Sequence, residues 1–315
     1  MSTAAPKIAT VPFGPAEEDL TTRDWSLDES YKYCERLARS HYENFPVGSI
    51  LIKKPLRRYF YAIYAFARTA DDFADEGYGT DAWSEPERLG WIARWNEQLK
   101  DAYRGRARHP VFIALADTAE RFDLPVTLFE DLLSAFSQDV TVRRYKTFDD
   151  VVDYCRRSAN PIGRLILLLF GERSAECLAQ SDDICTGLQL ANHWQDVRID
   201  LDKDRVYLPE EDLVRFGLSV ESIRQEGASE KFKRLMSFEV TRARSLFLKG
   251  KPLCTRMTGR LGMELRVVWL GGVTILNRIE HNDYDVFNRR PSIGSSDKLK
   301  ILLTAARKAA FHSYK

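Results

Sequence analysis

The chain has 315 residues, 44% of them hydrophobic, and a formal net charge of +1 with acidic and basic residues interleaved. This length can bury a large core, and the balanced charge gives no electrostatic case for nucleic acid. The five cysteines, Cys34, Cys155, Cys177, Cys185 and Cys254, form no CxxC pair, which argues for reduced thiols in a cytoplasmic protein rather than a disulfide frame or a zinc site.

Residues 1–25 hold prolines and threonines without a sustained period and read as a mobile arm, with 26–315 as one domain. They lack the basic-then-apolar order of a signal peptide. Ser26 and Glu29 form a capping box, so the first helix is expected from Leu27 until Asn44-Phe45-Pro46 interrupts it. Leu51 to Asp75 reads as a long helix, ended by Glu76-Gly77. Helices follow over Trp83 to Arg104, Phe112 to Arg121, Pro125 to Val140 and Phe148 to Ser158, the last capped by Thr147. Asn160-Pro161 breaks or kinks the chain before a buried helix from Gly163 to Phe170. A second long helix is expected from Ala175 to Asp200, then a charged loop and a short helix after Pro209. Glu230 to Leu248, Leu261 to Asp283 and Asp297 to Phe311 complete about ten helices, an all-α bundle with almost no strand-type alternation. The longest apolar run, Val267 to Leu276, is too short to span a bilayer, which leaves only peripheral membrane contact open.

Two of these helices carry the chemistry. Gln189, Asn192, Asp196 and Asp200 fall on one helical face, as do Tyr64, Arg68, Asp71 and Asp75. Like charges four apart cost an unaided helix a few tenths of a kcal/mol, about 0.2–0.5. Two such pairs facing each other across a bundle would make a Mg²⁺-bridged diphosphate site, with phosphate oxygens and water completing the ion's shell. The competing reading is a pair of solvated acidic faces, but their neighbours are aromatic and amide residues rather than lysines. Asp71-Asp72-Phe73-Ala74-Asp75 is also a DDxxD pattern, and Arg68 one turn earlier is placed to clamp a phosphate. A salt bridge from Arg68 to Asp72 or Asp75 is the alternative.

Asp200-x-Asp202-x-Asp204 imitates a calcium loop, but Arg205 stands where glycine is needed and Pro209 lies inside it. The loop is instead expected to lay Lys203 and Arg205 over a bound diphosphate while Val206-Tyr207-Leu208 closes the mouth. Aromatic residues near the motifs would be shared between core and a dry pocket that tolerates a carbocation.

Together these residues resemble the squalene/phytoene synthase family, over about Tyr31 to Lys298. The likeness rests on His41-x-x-x-Phe45, Tyr64-Ala-Phe-Ala-Arg68-x-x-Asp71-Asp-x-x-Asp75, Tyr154-Cys-x-x-x-Ala159-x-x-x-Gly163, Gln189-Leu-x-Asn192-x-x-x-Asp196-x-x-x-Asp200, Arg205-Val-Tyr-Leu-Pro209 and Tyr284. It implies a single-domain isoprenoid synthase (class I terpenoid synthase) bundle with a central active-site cavity, a prenyl diphosphate substrate and Mg²⁺. By that resemblance Asp71, Asp75, Asn192, Asp196 and Asp200 would face metal. Arg68, Gln189 and Arg205 would face diphosphate, and His41, Phe45, Tyr64, Tyr154 and Tyr284 would line the prenyl channel. Tyr207 and Gln195 join the substrate-binding set.

Two positions depart from the family. Gln195 stands where an arginine usually precedes the aspartate, and Ala-Gly-x-x-Gly becomes Ala159-Asn160-Pro161-Ile162-Gly163. Both resemble the hydroxysqualene-forming branch of hopanoid synthesis, whose substrate, presqualene diphosphate, carries one diphosphate. Asn160 and Gln195 would then be the amides that place water. Condensation to presqualene diphosphate, squalene or phytoene is the alternative within the family. A chain-elongating prenyltransferase is disfavoured by Val197, which spoils a second DDxxD, and a non-catalytic assembly factor by the retained carboxylates. Contact with neighbouring pathway enzymes stays open.

Overall fold

The computed structural model describes residues 20–40, 54–75, 83–307 and 311. Among them are fourteen helices: α1 Leu27–Ser40, α2 Lys54–Ala74, α3 Glu85–Tyr103, α4 Pro110–Phe122, α5 Val126–Thr141, α6 Phe148–Ser158, α7 Asn160–Leu169, α8 Ala175–Gln195, α9 Val197–Asp202, α10 Glu210–Arg215, α11 Val220–Glu226, α12 Glu230–Arg256, α13 Gly259–His281 and α14 Ser295–Ala306. The β-type pairing among the described residues is a single parallel bridge between Arg144 and Val206. The chain divides between Thr141 and Val142 into two compact units.

The first unit contains α1–α5. Ser26 caps α1 as its sequence predicts: the Ser26 amide donates to Glu29 Oε2 at 3.0 Å, and the Glu29 amide to Ser26 Oγ at 3.3 Å. The core is aromatic. Phe66 of α2, Trp95 of α3, Phe112 of α4 and Phe129 of α5 are sealed from solvent, with Trp95–Phe112 and Phe66–Phe129 edge-on at 4.4 and 5.2 Å. Such rings fix the rotation of α2 about its axis, and so decide which face of that helix points away from the core. Arg88 of α3, also buried, donates to the Ala74 carbonyl at 2.8 Å and secures the last turn of α2.

In the second unit α8 packs on α7, α12 and α13. Two glycines permit this. A Cβ on Gly272 would lie 2.3 Å from Phe247 Cζ, and one on Gly250 would lie 2.5 Å from Ile184 Cγ1 and 2.7 Å from the Gln180 carbonyl. Thr147 caps α6 with Asp150 as its reciprocal partner. The break at Asn160-Pro161 is a single residue, Ala159, because Pro161 falls in the first turn of α7, where no amide donor is missed.

Two expectations need correction. The helix from Glu230 runs to Arg256, through Pro252, rather than stopping at Leu248. The helix expected through Asp200 ends at Gln195; Asp196 takes φ −107° and ψ 12°, and α9 begins after it. Both flanking bonds survive, Asp196 N to Asn192 O at 3.0 Å and Asp200 N to Asp196 O at 2.9 Å, so the ladder bends without parting. Aspartate is a mediocre helix-interior residue and a good boundary residue, and here its carboxylate is engaged from outside the helix.

Candidate active site

On α2, Arg68 donates to Asp71 Oδ2 at 2.9 Å and, by its other Nη, to Asp72 Oδ1. Asp72 lies on the core side, 3% exposed, whereas Asp71 is half-buried, its side chain reaching the surface from among neighbouring carboxylates. Arg68 thus joins the stripe to the core: Asp72 holds the guanidinium in place, and Asp71 shares it. Burial in its recess, then the charge of Asp75, push Asp71 up to about 7 against the pull of Arg68, with Asp72 and Asp139 adding to the rise. Burial also raises the Tyr64 phenol, and its ring is stacked on Phe60 at 6.4 Å. Asp139 on α5 is a residue the sequence did not single out; no period links α5 to α2.

On α8 and α9, Gln189 and Asp196 are half-buried, Asn192 is exposed and Asp200 is half-buried. Arg290 grips Asp196 by two bonds, Nε to Oδ1 at 2.6 Å and Nη2 to Oδ2 at 3.1 Å. The neighbouring segment reinforces the grip. Gln195 Nε2 donates to the Pro291 carbonyl at 2.5 Å, and Arg198 Nη1 to the Phe287 carbonyl at 2.8 Å. Arg290 was invisible to spacing because it lies 94 residues beyond its partner. Tyr284 opens this segment in the left-handed region, φ 58°, directly after Asp283 at φ 54°. Two such residues in succession mark a turn that surrounding contacts must impose. Asn160 is buried and its Oδ1 accepts from Thr186 Oγ1 at 3.0 Å, which ties α7 to α8.

The loop expected to close over ligand is already anchored. Val206 N donates to the Arg143 carbonyl at 2.9 Å, Glu210 N to the Tyr145 carbonyl at 2.9 Å, and Arg144 pairs with Asp204 at 2.6 Å. Val206 and Leu208 are buried, so they are core rather than lid. Tyr207 stacks on His193 with centroids 3.7 Å apart and 14° between planes, and on Tyr145 at 5.5 Å; Tyr154 lies 5.8 Å from it. His193 is buried, its Nε2 has no partner, and burial lowers it to about 3, so the ring is neutral. Asp200, Arg205 and Tyr207 meet around a cavity of about 10 Å³ beside this stack, about the space of one water. A larger cavity of about 460 Å³ between α13 and α14 contains none of the predicted site residues. His41 and Phe45 lie outside the described residues.

The donor set suits a hard cation: carboxylates and amides, with no sulfur or imidazole on either stripe. Asp71 is raised by burial and by Asp75, a strain that a divalent ion relieves. No three His, Cys, Asp or Glu side chains among the described residues stand close enough to hold an ion by themselves.

The profile of the squalene/phytoene synthase family matches residues 38–297. The chain belongs to this family. It is 30% identical over 296 residues to 15-cis-phytoene synthase of Synechocystis, covering 89% of this chain and 85% of that one. Among solved structures, squalene synthase HpnC from Alicyclobacillus acidocaldarius is 39% identical with a TM-score of 0.77, over 82% of this chain and 96% of that one. A dehydrosqualene synthase, 23% identical, matches in fold with a TM-score of 0.78 over 91% and 98% of the two chains. The fold is therefore the all-α isoprenoid synthase fold, and the protein is an enzyme of the prenyltransferase type, in a family that condenses prenyl diphosphates head to head. No helix among the described residues is long and apolar enough to cross a membrane.

Proposed function

We propose that this enzyme converts presqualene diphosphate and water to hydroxysqualene and diphosphate. The observation that carries this reading is the neutral amide of Gln195, engaged by the Pro291 carbonyl, at the position where the family has a second cation. One diphosphate needs less positive charge than two, and this substrate has one. The 39% identity to squalene synthase HpnC supports a C30 product.

In this scheme the carbon–oxygen bond to diphosphate breaks heterolytically, the cyclopropylcarbinyl cation rearranges, water adds and one proton leaves. Mg²⁺, when bound, would neutralise the departing diphosphate, with Asp71, Asp75, Asn192, Asp196 and Asp200 as its candidate holders. Arg68 stabilises charge developing on the leaving group, and Asp72 keeps its guanidinium from drifting. Aromatic faces such as that of Tyr64 would stabilise the cation, with the packed Tyr145–Tyr207–His193 stack behind Tyr154 as a rigid wall, and an apolar surround would delay water until rearrangement is complete. Asn160 Oδ1 accepts one bond from Thr186 and Gln195 Nε2 donates one to the Pro291 carbonyl, which orients both amides and leaves each with further donor and acceptor capacity for a water.

A second reading, condensation to presqualene diphosphate or phytoene, is favoured by Arg290. It brings to Asp196 the guanidinium that position 195 lacks, and several relatives are phytoene synthases. Turnover in ¹⁸O-labelled water without NADPH separates the two. A labelled C30 alcohol from presqualene diphosphate is expected; condensation products from farnesyl or geranylgeranyl diphosphate, with no alcohol, would overturn the first reading.

A further inference from the structure

Helix α14 is apolar on two opposite sides. Its inner side is fixed firmly to the second unit. Ile301 and Ala305 are buried, the buried Arg266 donates to the Ala305 carbonyl at 2.7 Å, and Arg278 pairs with Asp297 at 2.5 Å. Phe311, just beyond, is sealed against Trp269 at 5.2 Å. The outer side is therefore not the product of a loosely placed helix. On it stand Leu299, Leu302 and Leu303, 60%, 39% and 55% exposed, followed by exposed Ala306. Their spacing of three, one and three makes one continuous stripe. Of the eight large apolar side chains exposed among the described residues, three lie on this one helix, a concentration that scattered surface leucines do not show.

The charges around the stripe have one sign. Lys298 flanks it on one side and Lys300 and Arg307 on the other, all exposed, while the helix's acidic residue, Asp297, is turned inward to Arg278. Leucines projecting between basic residues whose stems can bend outward match a helix lying in the interface of an anionic bilayer. The same charges disfavour a second copy: a two-fold contact through this stripe would set lysines and arginine against their own equivalents.

We propose that the outer face of α14 is a docking surface for anionic phospholipid membranes. Leu299, Leu302 and Leu303 would enter the acyl boundary, and Lys298, Lys300 and Arg307 would pair with lipid phosphates. The choice of a bilayer rests in part on the prenyl diphosphate reading, since a long-chain isoprenoid product of C30 or C40 leaves the enzyme for a lipid phase. The surface itself does not depend on which product is made.

Sedimentation of the full chain with vesicles tests this. Wild type is expected to bind phosphatidylglycerol–phosphatidylcholine vesicles, to bind pure phosphatidylcholine weakly, and to release as salt rises. Leu302→Glu/Leu303→Glu and, independently, Lys298→Glu/Lys300→Glu should each weaken binding about tenfold or more. Both should keep the helical circular dichroism and the turnover of detergent-dispersed substrate of the wild type. The proposal is overturned by wild type that ignores anionic vesicles, by charge-reversed protein that binds them as wild type does, or by light scattering that shows a dimer abolished in the leucine variant. Vesicle binding without prenyl diphosphate turnover would sink the catalytic reading and leave the docking surface standing.

Discussion

Glu239 of α12 is fully buried and shares one guanidinium with buried Asp212: Arg242 reaches Asp212 at 2.5 Å and Glu239 at 3.2 Å. One cation between two buried carboxyls leaves a charge too many, and burial, with Asp212 adding to it against Arg242, raises Glu239 to about 8. Its folded value thus lies above the ordinary 4.5. The group favours the folded state fully below 4.5, and that contribution drains away as pH rises toward 8. Glu239→Gln is expected to flatten the fall of Tm across this window and to melt above wild type at its alkaline end, as a thermal series in pH will show. The two aspartates on either side of Arg68 make a second contrast. Asp72→Asn breaks a buried ion pair and should cost about 3 kcal/mol in denaturant titration. Asp71→Asn removes a carboxyl already disfavoured as an anion, and should leave stability equal or higher while abolishing turnover. The period of α2 exposed Asp71, Asp75 and Arg68 to sequence reading, and the spacing offered Asp72 as the alternative, salt-bridge partner of Arg68, which is the pair that forms. The role of Asp72 as anchor depends on burial against other helices, which spacing on one helix does not report.

At the scale of elements, the ends of helices were legible wherever the chain writes them locally. Ser26 with Glu29 and Thr147 with Asp150 are complete signals within four residues, and α1 and α6 begin where they say. The bend at Asp196 was not legible, because its partner Arg290 comes from a turn far along the chain. The anchored state of Val206 and Leu208 was hidden for the same reason: charge in the loop suggested a cover over bound diphosphate, while bonds to residues 143–145 hold it against the core. Helix packing has its own test. At Gly272 an added methyl must displace the Phe247 ring, which is itself sealed between helices. Gly272→Ala is expected to destabilise by about 1–3 kcal/mol despite alanine's better helix propensity. Gly90, with open space around its Cβ position, should instead gain from the same change by about 0.5–1 kcal/mol, so urea midpoints of the two variants should move in opposite directions.

For the whole molecule, the informative fact is that the two acidic stripes belong to different compact units, Asp71 and Asp75 before residue 141 and Asp196 and Asp200 after it. A carboxylate pair that served only the stability of its own helix would give effects confined to that unit. The first pair carries a repulsion that its helix does not need, Asp75 raising Asp71, and in the second the Asp196 carboxylate is gripped by Arg290 from a distant segment. The sequence made this legible as repetition, the same pattern recurring about 125 residues on, and the family match gives the repetition a substrate class. If both stripes act on one diphosphate, their losses cannot add, because removing either already removes the step both serve. Asp71→Asn and Asp200→Asn should each reduce turnover of presqualene diphosphate by at least about a thousandfold, and the double variant should be no slower than the slower single one. Arg290→Gln belongs to the same experiment. With the guanidinium gone from Asp196, half-maximal binding of Mg²⁺ with pyrophosphate should need about threefold less metal, the modest scale of a partly exposed ion pair, while turnover falls. Multiplicative losses in the double variant would mean that the two stripes serve separate steps, and a higher metal requirement in Arg290→Gln would mean that the guanidinium assists metal binding instead of opposing it.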